Sequence, residues 1–282
     1  MISTATSFAY DNRQLAETYD RLSDLQFESG MELVRCLGDL DGARVLDVGC
    51  GTGRLAQWIS ELVGPTGTVV GIDPLAERIA LARAHVDGVR FEVGRAENLD
   101  LFDAESFDAV CMSSVFHWVT DKPKALTEIG RVLRVGGKLG ITTISRELGE
   151  VGTIGAVLNP LLRRPPYAGR VEEGAPFANN TLGLTTTELI STVLASGLEL
   201  DELHITPRSW THYDGSDFID FIESSSFGNF LRFVPKELHD QLRADVAEAF
   251  EAHRGPNGTI RDWLTTLVAR AVQAKPTSEG AP

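Results

Sequence analysis

The first chemistry this chain offers is an acid set just ahead of closely spaced glycines: Asp47-Val48-Gly49-Cys50-Gly51-Thr52-Gly53, at the end of the apolar run Val45-Leu46. Glycine accepts the backbone angles of a tight turn and lets a ligand approach the main chain. In nucleotide-binding folds such a loop cradles a pyrophosphate, and the spacing required is G-x-G-x-x-G. Here the third glycine comes one residue early, giving G-x-G-x-G, and Asp47 would repel a pyrophosphate. A carboxylate at that place suits a ligand carrying an ammonium group and a sulfonium, through charge attraction and hydrogen bonding. By itself the loop is equally compatible with a structural turn. Asp73 adds a second signal, twenty positions after Gly53. It closes another β-prone run, where a carboxylate can accept hydrogen bonds from both ribose hydroxyls; with no ligand it would be a helix cap. His117-Trp118 is the third. Histidine takes up a proton near neutral pH, so His117 is the natural base if a hydroxyl, thiol or amine is to react. The alternative is an aromatic pair that packs its loop.

These residues need elements to hold them. Arg44–Val48, Thr68–Asp73, Val89–Val93, Phe107–Met112 and Lys138–Thr143 read as strands. Between them lie helix signals: Leu55, Ile59 and Leu62 on one face, a run from Ile79 to Ala84 with Pro74 ahead of it, and a helix from Pro123 to Leu133 ended by Gly136-Gly137. Strand and helix alternating through short connections predict an α/β, doubly wound, mostly parallel sheet covered on both faces. Such sheets bind ligands beyond the carboxyl ends of their strands, where Asp47 and Asp73 fall. The first forty residues read as helical. Residues 145–184 read as a lid, 185–195 as a capped helix, 198–206 as a strand, and 218–250 as two helices with Pro235 starting the second. Trp263–Val272 reads as a closing strand. The stretch from Lys275 to Gly280 reads as disordered.

Composition narrows the partners. With 282 residues and a formal net charge of -14, the surface repels phosphate backbones, so no nucleic acid is expected. Arg163-Arg164 is the best local basic patch and reads as a solvated loop. Cys36, Cys50 and Cys111 show neither metal-ligand spacing nor a disulfide framework, so no metal and a reducing, cytoplasmic setting are expected. No signal-peptide pattern and no bilayer-length apolar run is visible.

The five segments Asp47–Gly53, Gly71-Ile72-Asp73, Gly94-Arg95-Ala96-Glu97-Asn98-Leu99, Ser106–Val110 and Arg131–Leu139 resemble the ordered motifs of class I S-adenosylmethionine-dependent methyltransferases. The likeness is greatest to the group that holds ubiquinone/menaquinone-pathway, trans-aconitate and malonyl-carrier methyltransferases. It spans about residues 15–145 and is specific for cofactor and reaction class, not for substrate. It implies a Rossmann-like seven-stranded sheet, S-adenosyl-L-methionine as cofactor and S-adenosyl-L-homocysteine as product. Asp47 and the backbone of Gly49, Cys50, Gly51 and Gly53 would face the methionine part, and Asp73 with Pro74 the ribose. Ala96 and Glu97 would lie beside the adenine. Arg95 departs from the family's frequent Asp and cannot accept the adenine amino proton. Ser113 and Ser114 would line the methyl-transfer site. Tyr19, in a segment like the family's N-terminal closing helix, would reach the cofactor's carboxylate.

The resemblance divides the chain into an N-terminal helical lid (1–40), a cofactor core (41–145), and a remainder (146–282) completing the sheet around a cap at about 207–258. Trp210, His212, Tyr213, Phe218, Phe221, Phe227, Phe230 and Phe233 make that cap aromatic, mostly as its own core, and suit a flat or apolar small-molecule acceptor. His204, His239 and His253 read as surface residues. Three rival readings remain. A nicotinamide dehydrogenase needs the absent G-x-G-x-x-G. A cofactor-binding protein without catalysis would share every motif. An RNA methyltransferase of the base-amino type would carry Asn/Asp-Pro-Pro-Tyr where Ser113-Ser114-Val115-Phe116 stands. Oligomeric state is not readable.

Overall fold

The computed structural model describes residues 7–149, 153–171, 183–256 and 258–272. The expected disorder of 275–280 and two parts of the expected lid, 150–152 and 172–182, lie outside them. Strands β1 (Arg44–Val48), β2 (Thr68–Asp73), β3 (Arg90–Val93), β4 (Phe107–Ser113), β5 (Leu133–Thr143), β6 (Leu198–Ser209) and β7 (Arg261–Ala271) form one sheet, in the order β3-β2-β1-β4-β5-β7-β6. β1 to β5 are parallel, and β7 runs antiparallel between β5 and β6. The doubly wound, seven-stranded expectation stands, and Trp263 to Ala271 is strand.

Alternation along the strands sends neighbouring residues to opposite faces. Val45, Val69, Ala109 and Cys111 pack on α2 (Asp24–Leu37), α3 (Arg54–Val63) and α4 (Ala76–His85). Leu46, Ile72, Val110 and Met112 pack on α5 (Lys122–Val132) and the helix Thr186–Ala195, which opens on a Thr185/Glu188 capping box. A third core belongs to the cap between β6 and β7. Trp210, Phe218, Phe221 and Phe250 meet there with Leu22 and Leu25 of the N-terminal helices and with Leu158. α1 (Arg13–Leu22) therefore closes against the cap, and Tyr213 donates its hydroxyl hydrogen to Leu22 O at 2.5 Å.

The structure corrects several boundaries. Gly136-Gly137 does not separate helix from strand. β5 starts at Leu133, directly after α5, and the glycines make a bulge where the β4–β5 register slips between Phe107 and Ala109. A Cβ on Gly137 would stand 2.9 Å from Arg134 O and 3.0 Å from Asp108 O. β6 continues past Thr206 to Ser209, because β7 pairs with it to the end. Pro235 precedes a short 3-10 turn, and the second long cap helix starts at His239.

Candidate active site

The carboxyl ends of β1 to β5 open into one cavity of about 560 Å³, roofed by α1, the cap and the helix Thr153–Leu162. Its position is the topological switch between β1 and β4, where the strand order reverses. A smaller space of about 40 Å³ continues from it around Asp47 and Thr52; both are lined by Tyr19, Gln26, Gly49, Gly51 and Ser113.

The loop after β1 is pinned to β2: Gly49 N and Cys50 N both donate to Ile72 O, at 2.7 and 3.0 Å. Gly49 has φ +76°, and a Cβ there would stand 2.2 Å from Val115 Cγ2. Gly49→Ala is therefore expected to destabilise the fold by about 1–3 kcal/mol and to weaken ligand binding at the loop. A melting temperature equal to that of the unaltered protein would remove the close-approach argument. Gly51 has φ +56° and donates its N–H to Asp73 Oδ2 at 3.0 Å. Gly53 lines neither cavity. It caps α3, and a Cβ there would meet Phe91 at 2.8 Å. Cys50 turns its sulfur into the core between strand and helix and touches only the smaller space.

The two acids differ in how they are satisfied. Asp73 is buried, with Oδ1 accepting from Leu75 N (2.9 Å) and Oδ2 from Gly51 N. Burial raises its pKa, while Arg78 and those two N–H groups oppose the rise. Each oxygen keeps a lone pair for a further donor. Asp47 is also buried, and its Oδ1 accepts the Cys111 thiol at 3.5 Å, but Oδ2 has no partner. Burial first, then the nearby Asp73, push its pKa up to about 7. A buried carboxylate oxygen without a donor is costly unless a cation completes it. An ammonium group fits that requirement.

Tyr19 lines both spaces, and Asp20 ties its helix to the loop by accepting Thr52 Oγ1 at 2.5 Å. Arg54 donates to Asp20 O at 3.0 Å. Arg78, which sequence reasoning missed, is buried at the junction of core, lid and cap. It donates to Ser224 O at 2.7 Å, lies 4.1 Å from the Tyr19 ring and 5.0 Å from the Phe227 ring, and stands 3.8 Å from Asp11. Burial, opposed by Arg78, pushes Asp11 up to about 6. The available signal was a charge on an apolar stripe, Leu75, Arg78, Ile79 and Ala82.

Pro74, Ala96, Glu97 and Arg95 all reach the cavity wall. Arg95 lays its guanidinium 4.7 Å from the Phe8 ring and 3.8 Å from Glu97. Glu97 Oε1 accepts from Thr120 N at 3.1 Å. Phe8, Phe227 and Trp118 form an aromatic group of mutually tilted rings, with centroids 5.7 Å apart for Phe8–Phe227 and 5.0 Å for Trp118–Phe227. Ser113 and Ser114 line the cavity beside Thr142, and Ser114 holds a left-handed φ of 58°.

His117 lies in the wall with Nδ1 3.2 Å from Thr143 Oγ1. Its pKa is pushed down to about 3, first by burial and then by Lys122 and Arg208. That direction favours the packing alternative over the base that the residue type suggested. Arg163, expected in a solvated loop, reaches the cavity, as do Asn159, Arg208 and Asp262, which carried no local signal. Of the cap aromatics, Phe221 and Phe227 line it, whereas Trp210 and Phe218 are core. Folding also brings Cys36, Glu202 and His204 together, their ligand atoms within 4.8 Å of one another, which the cysteine spacing did not foretell. None of the three lines either cavity. No helix among the described residues is long and apolar enough to cross a membrane.

A family model described as a methyltransferase domain matches residues 46–141, the stretch from β1 to β5. An uncharacterized methyltransferase of Mycobacterium tuberculosis (strain H37Rv) is 39% identical over 136 residues, 48% of this chain and 53% of that protein. The ubiquinone/menaquinone biosynthesis C-methyltransferase of Hahella chejuensis is 40% identical over 111 residues, 37% of this chain and 44% of that one. This chain thus spans about half the length of the curated relatives it matches. A candidate methyltransferase of Bacillus halodurans, solved by crystallography, shares the fold. Its TM-score is 0.57 at 19% identity, covering 87% of this chain and 100% of that one.

Proposed function

We propose that this chain, which belongs to the class I S-adenosylmethionine-dependent methyltransferases, transfers a methyl group to a small-molecule acceptor beneath its helical cap. One observation carries the cofactor reading: Asp47, with a buried and unpartnered oxygen, stands beside the glycine loop while Asp73 closes the next strand. S-adenosylmethionine, when bound, supplies a methyl group already activated on a sulfonium. Asp47 receives the ammonium of the amino-acid part, Tyr19 its carboxylate, and the backbone at Gly49 and Gly51 leaves room for the chain. Asp73 and Pro74 bind the ribose, and Ala96, Glu97 and Arg95 border the adenine. Ser113 and Ser114 line the transfer site. Residues 1–40 act as the lid, 41–145 as the cofactor core, and the cap covers the acceptor. Lid and cap exclude water, and alignment of acceptor, methyl and sulfur supplies much of the rate.

The acidic surface, with a net charge of -14, favours a metabolite over RNA. Calorimetric titration with S-adenosylmethionine, S-adenosylhomocysteine and NAD tests the reading. Binding of the first two and not the third is expected; binding of NAD alone would end it. A protein that binds both yet turns over no acceptor would be a cofactor-binding protein without catalysis.

His117 acts as a hydrogen-bonding wall residue and not as the base. The kcat of an acceptor identified by such a screen is expected to show no limb between pH 6 and 8 that disappears in His117→Gln. Such a limb would restore it as the proton acceptor.

A further inference from the structure

Opposite the glycine loop, the cavity wall comes from β5, β7, β6 and the helix Thr153–Leu162. Its apolar part is Ile144, Ile154, Ala156, Pro160 and Phe221. Its charged part is Arg208, at the end of β6, facing Asp262 at the start of β7, with Arg163 at the end of the helix. Arg208 Nη2 stands 3.2 Å from Asp262 Oδ2, and the two side chains are only 10% and 2% exposed. An ion pair buried in a cavity wall is expensive and is weak evidence for stability.

The pair is unequally satisfied. Asp262 uses its other oxygen too, accepting from Trp263 N at 2.8 Å. Arg208 has a buried Nε with no partner. The guanidinium thus retains donor capacity that Asp262 does not take up, and Arg163 adds a second positive charge to this wall. Among the described residues of this wall, Asp262 is engaged by Arg208 and Trp263 N, and burial first, then Lys122 and Arg208, push the nearby His117 away from protonation.

We propose that the acceptor is a small acid with an apolar body, its carboxylate held by Arg208 and Arg163 and its body lying on Ile144, Ile154 and Phe221. Asp262 keeps Arg208 neutralised and in place while the cavity is empty and shares it when the acid arrives. A carboxylate suits a guanidinium fork geometrically as well as by charge. An ammonium-bearing acceptor would have to displace Arg208 from Asp262 and would face both arginines. A carboxylate is already deprotonated at neutral pH, so transfer to one of its oxygens would form the O–C bond as the C–S bond breaks, the electron pair passing to sulfur, and leave no proton for a base to remove. This assignment rests on the cofactor reading above.

The test is calorimetry on the full chain saturated with S-adenosylhomocysteine, with octanoate and benzoate as probes against octanamide and benzamide. At least one acid is expected to bind about tenfold or more tighter than its amide. Arg163→Gln is expected to weaken the acid by roughly threefold to tenfold without moving the amide. Asp262→Asn keeps the bond to Trp263 N but releases Arg208 from its partner, and is expected to tighten the acid. Arg208→Met removes the discrimination; if it fails to fold, the other two variants still decide. Equal affinity for acid and amide, binding of neither acid, or acid affinity indifferent to both Arg163→Gln and Asp262→Asn overturns the proposal. Failure of S-adenosylhomocysteine itself to bind condemns the cofactor reading instead, and that is seen before any acid is added.

Discussion

Asp73→Ala is expected to abolish measurable S-adenosylmethionine binding while leaving a folded protein. The side chain does two things in the structure. It braces the glycine loop and the chain entering α4 by accepting from Gly51 N and Leu75 N. It also lines the cavity, and in the proposed role the remaining lone pair of each oxygen accepts from a ribose hydroxyl. Hydrogen bonds to a charged group contribute about 1.5–3 kcal/mol each, so losing two weakens binding by roughly 100-fold to 10,000-fold. Asp73→Asn separates bracing from binding, because its single carbonyl can keep only part of the set; it should fall between alanine and the unaltered protein. Burial makes the empty site's charge costly, since it raises the Asp73 pKa. The asparagine variant should therefore fold normally, and circular dichroism with a thermal melt checks this. Calorimetry that finds Asp73→Ala within about threefold of normal affinity would show the ribose role to be wrong.

What was readable along the chain is what local physics dictates. The strands β1 to β5 announce themselves by short apolar runs between turn residues, and the glycine loop by backbone conformations that few other residues adopt. Asp47 and Asp73 could be singled out because each stands at the carboxyl end of a strand, the end at which such sheets bind ligands. Arg78, Arg208 and Asp262 were not readable, because their partners are distant in sequence. Arg78 meets Ser224 146 positions away, and Arg208 meets Asp262 54 positions away. The first contact exists only once the cap is laid back over the sheet, and the second once β6 and β7, which flank the cap in sequence, pair antiparallel with Arg208 opposite Asp262. His117 shows the limit from the other side. Its residue type suggested a base near neutral pH, but basicity depends on the environment, and burial, followed by the charges of Lys122 and Arg208, pushes its pKa down. Gly53 matched the motif as well as Gly49 did, yet only the structure separates a glycine needed for packing from one needed at the cavity wall.

Asp47→Asn should do two opposite things: stabilise the empty protein and cripple it as a binder. Asp47 titrates at about 7 in the folded chain against 3.8 for an ordinary aspartate, with burial the chief cause. An acid whose pKa is raised by folding favours the folded state fully below its unfolded pKa and loses that contribution as pH rises through its folded pKa. The window is therefore pH 4 to 7. Three pH units correspond to a ceiling of about 4 kcal/mol lost by pH 8. Asparagine avoids that loss, keeps an oxygen for the Cys111 thiol, and in exchange buries an amide with no partner, which costs about 1–3 kcal/mol. The net gain above pH 7 is expected to be about 1–3 kcal/mol, and it should shrink or reverse near pH 4, where Asp47 is already neutral. Denaturant melts of both proteins across that range measure the difference directly. Binding should run the other way. In the proposed role Asp47 must be ionised to receive the cofactor's ammonium, so affinity for S-adenosylhomocysteine should fall as pH drops below 7 and binding at pH 6 should release a proton. That release is visible as a dependence of the calorimetric heat on the buffer's ionisation enthalpy. Asp47→Asn should lose both the affinity and the proton. A variant less stable than the parent at pH 8, or one binding with the parent's affinity and pH profile, would mean that the unpartnered oxygen is not waiting for a cation.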